Sequence, residues 1–245
     1  MRVLVFNQKS GVGKTTTVMN VAAGLLRCGV GSVTVADLDP AMHLTRALGH
    51  DGDSGGWDVE SWLEGVPGNP LDIETEPGLA LIPGNPAPAE DRTASVGLMT
   101  SGGEWLLLDA PPSWSPRIEA VMRGADLILC PLEPDFLGMQ EVNRLLRTMQ
   151  SVEIGWDRLR ILLTRFNSRL AVHREVRARL RERFGDEIVL TVPIRSSVRL
   201  ADETEQGTTI FNHAPKSVGA YDYLALAERL SGRRKASSTR RRTRP

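Results

Sequence analysis

Seven short stretches of this chain are apolar almost from end to end: residues 3–6, 33–36, 79–82, 105–108, 127–132, 159–163 and 188–192. A strand with one wet face alternates apolar and polar side chains, whereas a strand covered on both faces reads as a continuous apolar run. Helix-length amphipathic stretches separate several of these runs (15–28, 136–150 and 169–184), and another at 218–230 follows the last. Buried strands interleaved with helices define the expected fold class: α/β, a doubly wound and mainly parallel sheet flanked by helices. The 245 residues fit one large domain of this kind, taken as 1–230. Segments 51–70 and 83–98, rich in Gly, Pro, Asp and Ser, read as surface excursions. No apolar run approaches the roughly 18 residues of a membrane span, and the chain enters its first strand at once, without a signal peptide. Cys28 and Cys130 make neither a disulfide framework nor a paired metal motif, so both read as small core residues of a cytoplasmic protein.

The first run leads into the chemistry. Val3-Leu4-Val5-Phe6 is followed by Asn7-Gln8-Lys9-Ser10-Gly11-Val12-Gly13-Lys14-Thr15-Thr16, and then by a helix. Strand, glycine-containing loop and helix are the setting of a phosphate-binding loop. Gly11 and Gly13 let the backbone curl so that successive N–H groups face phosphate oxygens, and the helix N-terminus adds its positive dipole end. Lys14 is then placed for the β- and γ-phosphates and the Thr15 hydroxyl for Mg²⁺, which makes ATP with Mg²⁺ the expected ligand. The common spacing puts a glycine at position 8, where this chain has Gln8, and it offers an additional lysine, Lys9.

Lys9 to Thr15 closely resembles the signature Lys-Gly-Gly-x-Gly-Lys-[Ser/Thr] of the ParA/MinD family of deviant P-loop ATPases, with Ser10 at the first glycine. The resemblance implies nucleotide contacts from Lys9, Ser10, Gly11, Val12, Gly13, Lys14, Thr15 and Thr16. It also implies that Lys9 crosses an ATP-sandwich homodimer to the partner's phosphates. Asp37-Leu38-Asp39-Pro40, at the end of the second run, resembles the family's Asp-x-Asp-Pro-Gln switch. There Asp39 would be the carboxylate that handles the attacking water and Asp37 would support the metal. An aspartate pair capping a helix that begins near Pro40 is the structural alternative. Ala41 stands where the family has Gln. Residues 104–112, an apolar strand ending in Asp109 and then Pro111-Pro112, resemble the Walker B strand, and Asp109 would hold Mg²⁺. Lys9, Lys14 and Asp39 are thus the expected catalytic residues, and Thr15, Asp37 and Asp109 the metal side. Similarity continues to about residue 230 and implies adenine contacts near Thr164, Arg165 and Pro193.

Three readings share that site: a ParA-type ATPase that positions a cargo on DNA, a MinD-type membrane ATPase, and a metabolic or iron–sulfur-scaffold relative. The end of the chain favours the first. Seven of the 30 basic residues and none of the 30 acidic ones fall in 231–245, so the rest of the chain carries a net charge of −7. This basic tail reads as disordered and lacks the bulky apolar face of a membrane-binding helix. The cysteines lack the pairing that a cluster needs. The Arg-rich stretch with Arg169, Arg174, Arg177, Arg179, Arg181 and Arg183 reads either as a DNA-facing comb or as a solvated face. The resemblance puts non-specific DNA contacts at Arg195, Arg199 and Lys216. It implies an adaptor protein that stimulates hydrolysis, a cytoplasmic and nucleoid-associated location, and a short branch without an N-terminal helix-turn-helix.

Overall fold

The computed structural model describes residues 1–51, 56–87, 104–201 and 207–232. The expected tail lies outside the described residues apart from Ser231 and Gly232, as do residues 88–98 of the second excursion. A seven-stranded sheet runs in the order β3-β4-β2-β5-β1-β6-β7. Its strands are β1 (Arg2–Val5), β2 (Val33–Asp37), β3 (Leu71–Asp72), β4 (Leu79–Ile82), β5 (Trp105–Asp109), β6 (Leu127–Leu132) and β7 (Leu159–Leu163). Every pairing is parallel except that of the short edge strand β3 with β4. The fold class expected from the uninterrupted apolar runs is therefore the observed one.

Alternation along each strand splits the core into two layers. Leu4, Phe6, Leu106 and Leu108 face α4 (Pro116–Gly124), α5 (Phe136–Ser151) and α6 (Ala171–Ile188). Val3, Val5, Trp105 and Leu107 face α1 (Lys14–Arg27), α2 (His43–Ala47), α7 (Ile210–His213) and α8 (Val218–Ser231). On that second side α1 and α8 pack very closely. A Cβ on Gly24 would lie 2.8 Å from that of Ala227, so this crossing needs glycine. Tyr223 of α8 reaches Thr17 of α1 through their hydroxyls at 3.2 Å, which ties the closing helix to the helix that follows the phosphate loop. Cys130 lies in the first layer and Cys28 against the second. The sheet stands between them, which suits their reading as packing residues. Burial pushes the Cys130 thiol up to about 12.

Two expectations are corrected. The run 188–192 is not a strand of the sheet. Gly185 breaks α6 at φ 74, Val189 makes only an isolated bridge to Ile161, and Pro193 has no N–H with which to extend a ladder. The segment still packs beside β7, since Leu190 N–H donates to Ile161 O and Ile194 N–H to Leu163 O. The first excursion is not wholly loop either. It contains α3 (Val59–Leu63), because the Asp58 carboxylate accepts from Glu60 and Ser61 N–H while Val59, Trp62 and Leu63 are buried.

Candidate functional site

The carboxyl ends of β1, β2 and β5 meet at one rim, where an open α/β sheet places its ligands. Between β1 and α1 the chain curls with Gly11 at φ 71 and Gly13 at φ 87. Both are left-handed conformations that favour glycine. A Cβ at either position would touch nothing within 4 Å, so backbone angle alone sets the requirement, and the space over the loop is open. Ser10 is not among the residues with positive φ, which is why a serine serves where the family signature has glycine. The curl is pinned from behind: Thr164 Oγ1, at the end of β7, donates to Val12 O at 2.9 Å, and Asn7 Nδ2 donates to Pro131 O at 2.7 Å.

A cleft of about 700 Å³ opens in front of this loop. Ser10 to Thr16 form its floor, Asp39, His43 and Arg46 one wall, and Thr164, Arg165 and Ile194–Ser197 the other. Lys14 is 8% exposed, and its Nζ donates to Lys9 O at 3.2 Å. Burial lowers its pKa, opposed by Asp109 and then Asp39. An ammonium kept out of water this way is costly unless it meets an anion. Thr15 Oγ1 donates to Asp109 Oδ2 at 2.6 Å, while Asp109 Oδ1 is buried and has no hydrogen-bond partner among the described residues. Burial, reinforced by Asp37, raises the Asp109 pKa well above the usual carboxylate range. A hydroxyl and an orphaned carboxylate oxygen side by side are a donor set that fits a hard cation such as Mg²⁺.

The two switch aspartates part company. Asp39 lines the cleft, with Oδ1 accepting from Ala41 N–H at 2.9 Å and Oδ2 3.3 Å from His43 Nδ1. Asp37 pairs in register with Asp109 but stands behind the wall, fully buried. Its Oδ1 accepts from Asp39 N–H, and its Oδ2 accepts from both the N–H and the hydroxyl of Thr45, each at 2.8 Å. Burial raises its pKa against those bonds. In this conformation Asp37 holds α2 in place.

Other expected residues lie off the cleft. Pro193 is not on the wall; its neighbours Ile194 and Arg195 are, because the chain turns back toward β7 only after the proline. Lys9 is also off the cleft, with Nζ 3.2 Å from Asp135 Oδ2 of its own chain. Arg165 (φ 48) pairs with Glu133 at 3.7 Å, and Arg195, expected on DNA, is gripped by Asp222 at 2.7 Å and lines the cleft. Arg199 and Lys216 are exposed. His43 and Arg46 escaped the sequence reading, although the spacing i, i+3, i+4 to Ala47 after the Asp-Pro switch is a helical face.

Parallel sheet, phosphate curl, buried lysine and Thr–Asp pair together define a P-loop nucleotide-binding protein. A family model described as the CobQ/CobB/MinD/ParA nucleotide binding domain matches residues 3–210, and the chain belongs to that family. Among its relatives, the chromosome-partitioning ATPase Soj of Thermus thermophilus is 37% identical, over 95% of this chain and 96% of Soj. The chromosome partitioning protein ParA of Caulobacter vibrioides is 30% identical, over 95% of each. A solved structure of cobyrinic acid a,c-diamide synthase from Mycobacterium smegmatis, with bound ATP analog and magnesium, superposes with a TM-score of 0.74. It is 28% identical and covers 94% of this chain and 93% of that one.

Proposed function

We propose that this chain is a partition-type ATPase that binds ATP with Mg²⁺, closes as a homodimer over the nucleotide and positions a cargo on DNA. The observation that carries the reading is the Thr15–Asp109 pair, with Oδ1 unpaired among the described residues, beside a buried Lys14 and behind a cleft that Asp39 lines. Likeness over nearly the whole length of two chromosome-partitioning relatives supports the same assignment. Thr15 and Asp109 are the residues that would hold Mg²⁺, and the ion would supply neutralisation of negative charge at the phosphates.

The residues divide the work. N–H groups of Ser10 to Thr16 cradle the phosphates, and Lys14 sets a fixed cation against them. Thr15 and Asp109 hold the metal, with Asp37 bracing the switch, and Asp39 orients the attacking water. Thr164, Arg165 and the segment after Pro193 flank the base. Catalysis is then positioning and charge stabilisation.

Dimer closure brings Lys9 of each chain to the other's nucleotide. Phe136 and Leu137, 70% and 57% exposed, adjoin the Lys9–Asp135 pair and form an apolar face that a second copy would cover. The dimer binds DNA without sequence preference through exposed cations such as Arg199 and Lys216, the tail adding charge. Each phosphate neutralised adds roughly −0.9 to the log–log salt slope. An adaptor protein stimulates hydrolysis, and the chain works in the cytoplasm on the nucleoid. Among the described residues no helix is long and apolar enough to cross a membrane.

Gel filtration and DNA gel shifts with ATP, ADP and no nucleotide test this cycle. Asp39→Ala is expected to accumulate an ATP dimer that shifts DNA and does not turn over. Lys9→Ala is expected to bind ATP and stay monomeric. A monomeric Asp39→Ala with normal turnover would overturn the role of Asp39, and equal DNA binding in all three states would remove DNA tethering.

A further inference from the structure

Among the described residues three arginines line the cleft, and their circumstances differ. Arg165 pairs with Glu133 and Arg195 with Asp222. Arg46 has no carboxylate partner among the described residues. Its Nη1 donates to Ala41 O at 2.9 Å, so the guanidinium is docked on a carbonyl at the edge of a phosphate site. A guanidinium has five N–H donors, and with one in use among the described residues the others face the cleft's anion chemistry.

Its placement is built in. Arg46 follows Thr45, whose N–H and hydroxyl are both taken by buried Asp37, and whose Oγ1 also accepts from Gly84 N–H at 2.9 Å. Leu44 and Ala47 on either side are buried. Ala41, which carries the guanidinium on its carbonyl, donates its N–H to Asp39 Oδ1 at 2.9 Å. Carboxylate, peptide and guanidinium thus form one chain of hydrogen bonds, and anything that moves the Asp39 loop moves Arg46 with it.

We propose that Arg46 is a catalytic cation supplied in cis, its guanidinium contacting the terminal phosphate of a bound nucleoside triphosphate beside Asp39. This deepens the ATPase reading and rests on it. Arginine suits the task because its planar fork matches two phosphate oxygens at once, and because it stays charged as negative charge develops there. The contact adds to Lys14, which rises from the floor of the cleft, and differs from Lys9 in needing no second subunit.

The test compares Arg46→Ala and Arg46→Lys with the unaltered full-length chain. Calorimetric affinities for Mg·ATP and Mg·ADP, single-turnover hydrolysis and melting temperature are read for each. A contact confined to the terminal phosphate predicts unchanged ADP affinity and ATP affinity about tenfold weaker in Arg46→Ala. Single-turnover hydrolysis should fall roughly 10²–10³-fold, as when one charge-stabilising donor is lost, with partial recovery in Arg46→Lys. Equal losses for ATP and ADP, or a lowered melting temperature with no change in their ratio, would show that Arg46 merely braces the loop. Unchanged ATP affinity and rate would also overturn the proposal. If the unaltered chain binds neither nucleotide, the ATPase reading itself fails, and this inference falls with it.

Discussion

The phosphate loop and helix α6 both carry positive charge, and the fold treats that charge in opposite ways. In the loop, Lys14 is buried and gives its ammonium to a backbone carbonyl, without a carboxylate within ion-pair distance among the described residues. In α6 the arginines lie largely at the surface and bond to groups of their own chain. Arg179 pairs with Glu175 and Arg181 with Asp186, Arg174 and Arg177 donate to the carbonyls of Ser168 and Thr191, and Arg183 donates to Asn143. Arg177 and Arg183 also lie over the rings of Phe166 and Phe184. A charge that the protein has already satisfied adds little when an anion arrives, whereas a desolvated and unsatisfied one adds much. The density of arginine in α6 is therefore a poor guide to a phosphate comb, and a single lysine in the loop is a good guide to a phosphate site.

The widest separation between the two regions should come from deleting charge in each. Lys14→Ala is expected to weaken Mg·ATP binding by roughly 30- to 3000-fold, the range for truncating one partner of a desolvated charge pair. The double change Arg179→Ala and Arg181→Ala should leave it within about twofold, since both are exposed surface pairs. Calorimetry on both variants checks this, and comparable losses would erase the distinction.

A smaller effect, of opposite sign for stability and function, is expected at Asp109. Its folded pKa is raised, so the folded chain holds a proton that the unfolded chain has released. Stability without ligand should then fall as pH rises above the ordinary 3.8, until the raised folded value is passed. Asp109→Asn removes the buried charge and its repulsion with Asp37 while keeping an oxygen for Thr15. The ligand-free melting temperature should rise at neutral pH, by roughly 2–4 °C per kcal/mol relieved, and the descending limb should vanish. Mg²⁺-dependent tightening of ATP should be lost. A variant that melts lower than the parent at neutral pH and keeps its metal dependence would contradict the assignment.

What could be read from residue order alone follows the same division. Uninterrupted apolar runs disclosed the strands of the sheet's centre because burial on both faces is a local, one-dimensional pattern. The phosphate loop was legible because glycines, lysine and threonine act within a few residues of one another. The opposite wall of the cleft was legible only in part: Thr164 and Arg165 were expected there from the family resemblance, but not Arg195, which is fixed by Asp222 across 27 positions, nor Tyr223, which arrives from the last helix. Helix α3 was hidden because its Asp58 cap and its buried Val59, Trp62 and Leu63 sit in a segment whose Gly and Pro content suggests loop. The strand expected over 188–192 failed for the converse reason: its side chains are apolar enough, but Pro193 and the break at Gly185 deny it a ladder. Lys9 was noticed, yet its counter-ion, 126 residues downstream, was not.

That counter-ion sets the finest test of the contrast, because Lys9 belongs to the loop but is satisfied in the manner of α6. Its ammonium sits 3.2 Å from Asp135 Oδ2, with side-chain exposures of 27% and 38%. A pair this open to water is worth about 0.2–1 kcal/mol. If Lys9 must leave Asp135 to reach a partner's nucleotide, that energy is a small tax on dimer closure. Asp135→Asn would lift it without harming the helix: the other oxygen of Asp135 accepts from Gly138 N–H at the start of α5, and asparagine caps as well as aspartate. Sedimentation across an ATP series should show the dimer midpoint falling by up to about fivefold in Asp135→Asn, with no such shift when Lys9 is already alanine. A midpoint that stays put would mean that the pair carries no weight in closure. One that rises would mean that Asp135 serves the dimer itself, and the resemblance between Lys9 and the self-satisfied arginines of α6 would be superficial.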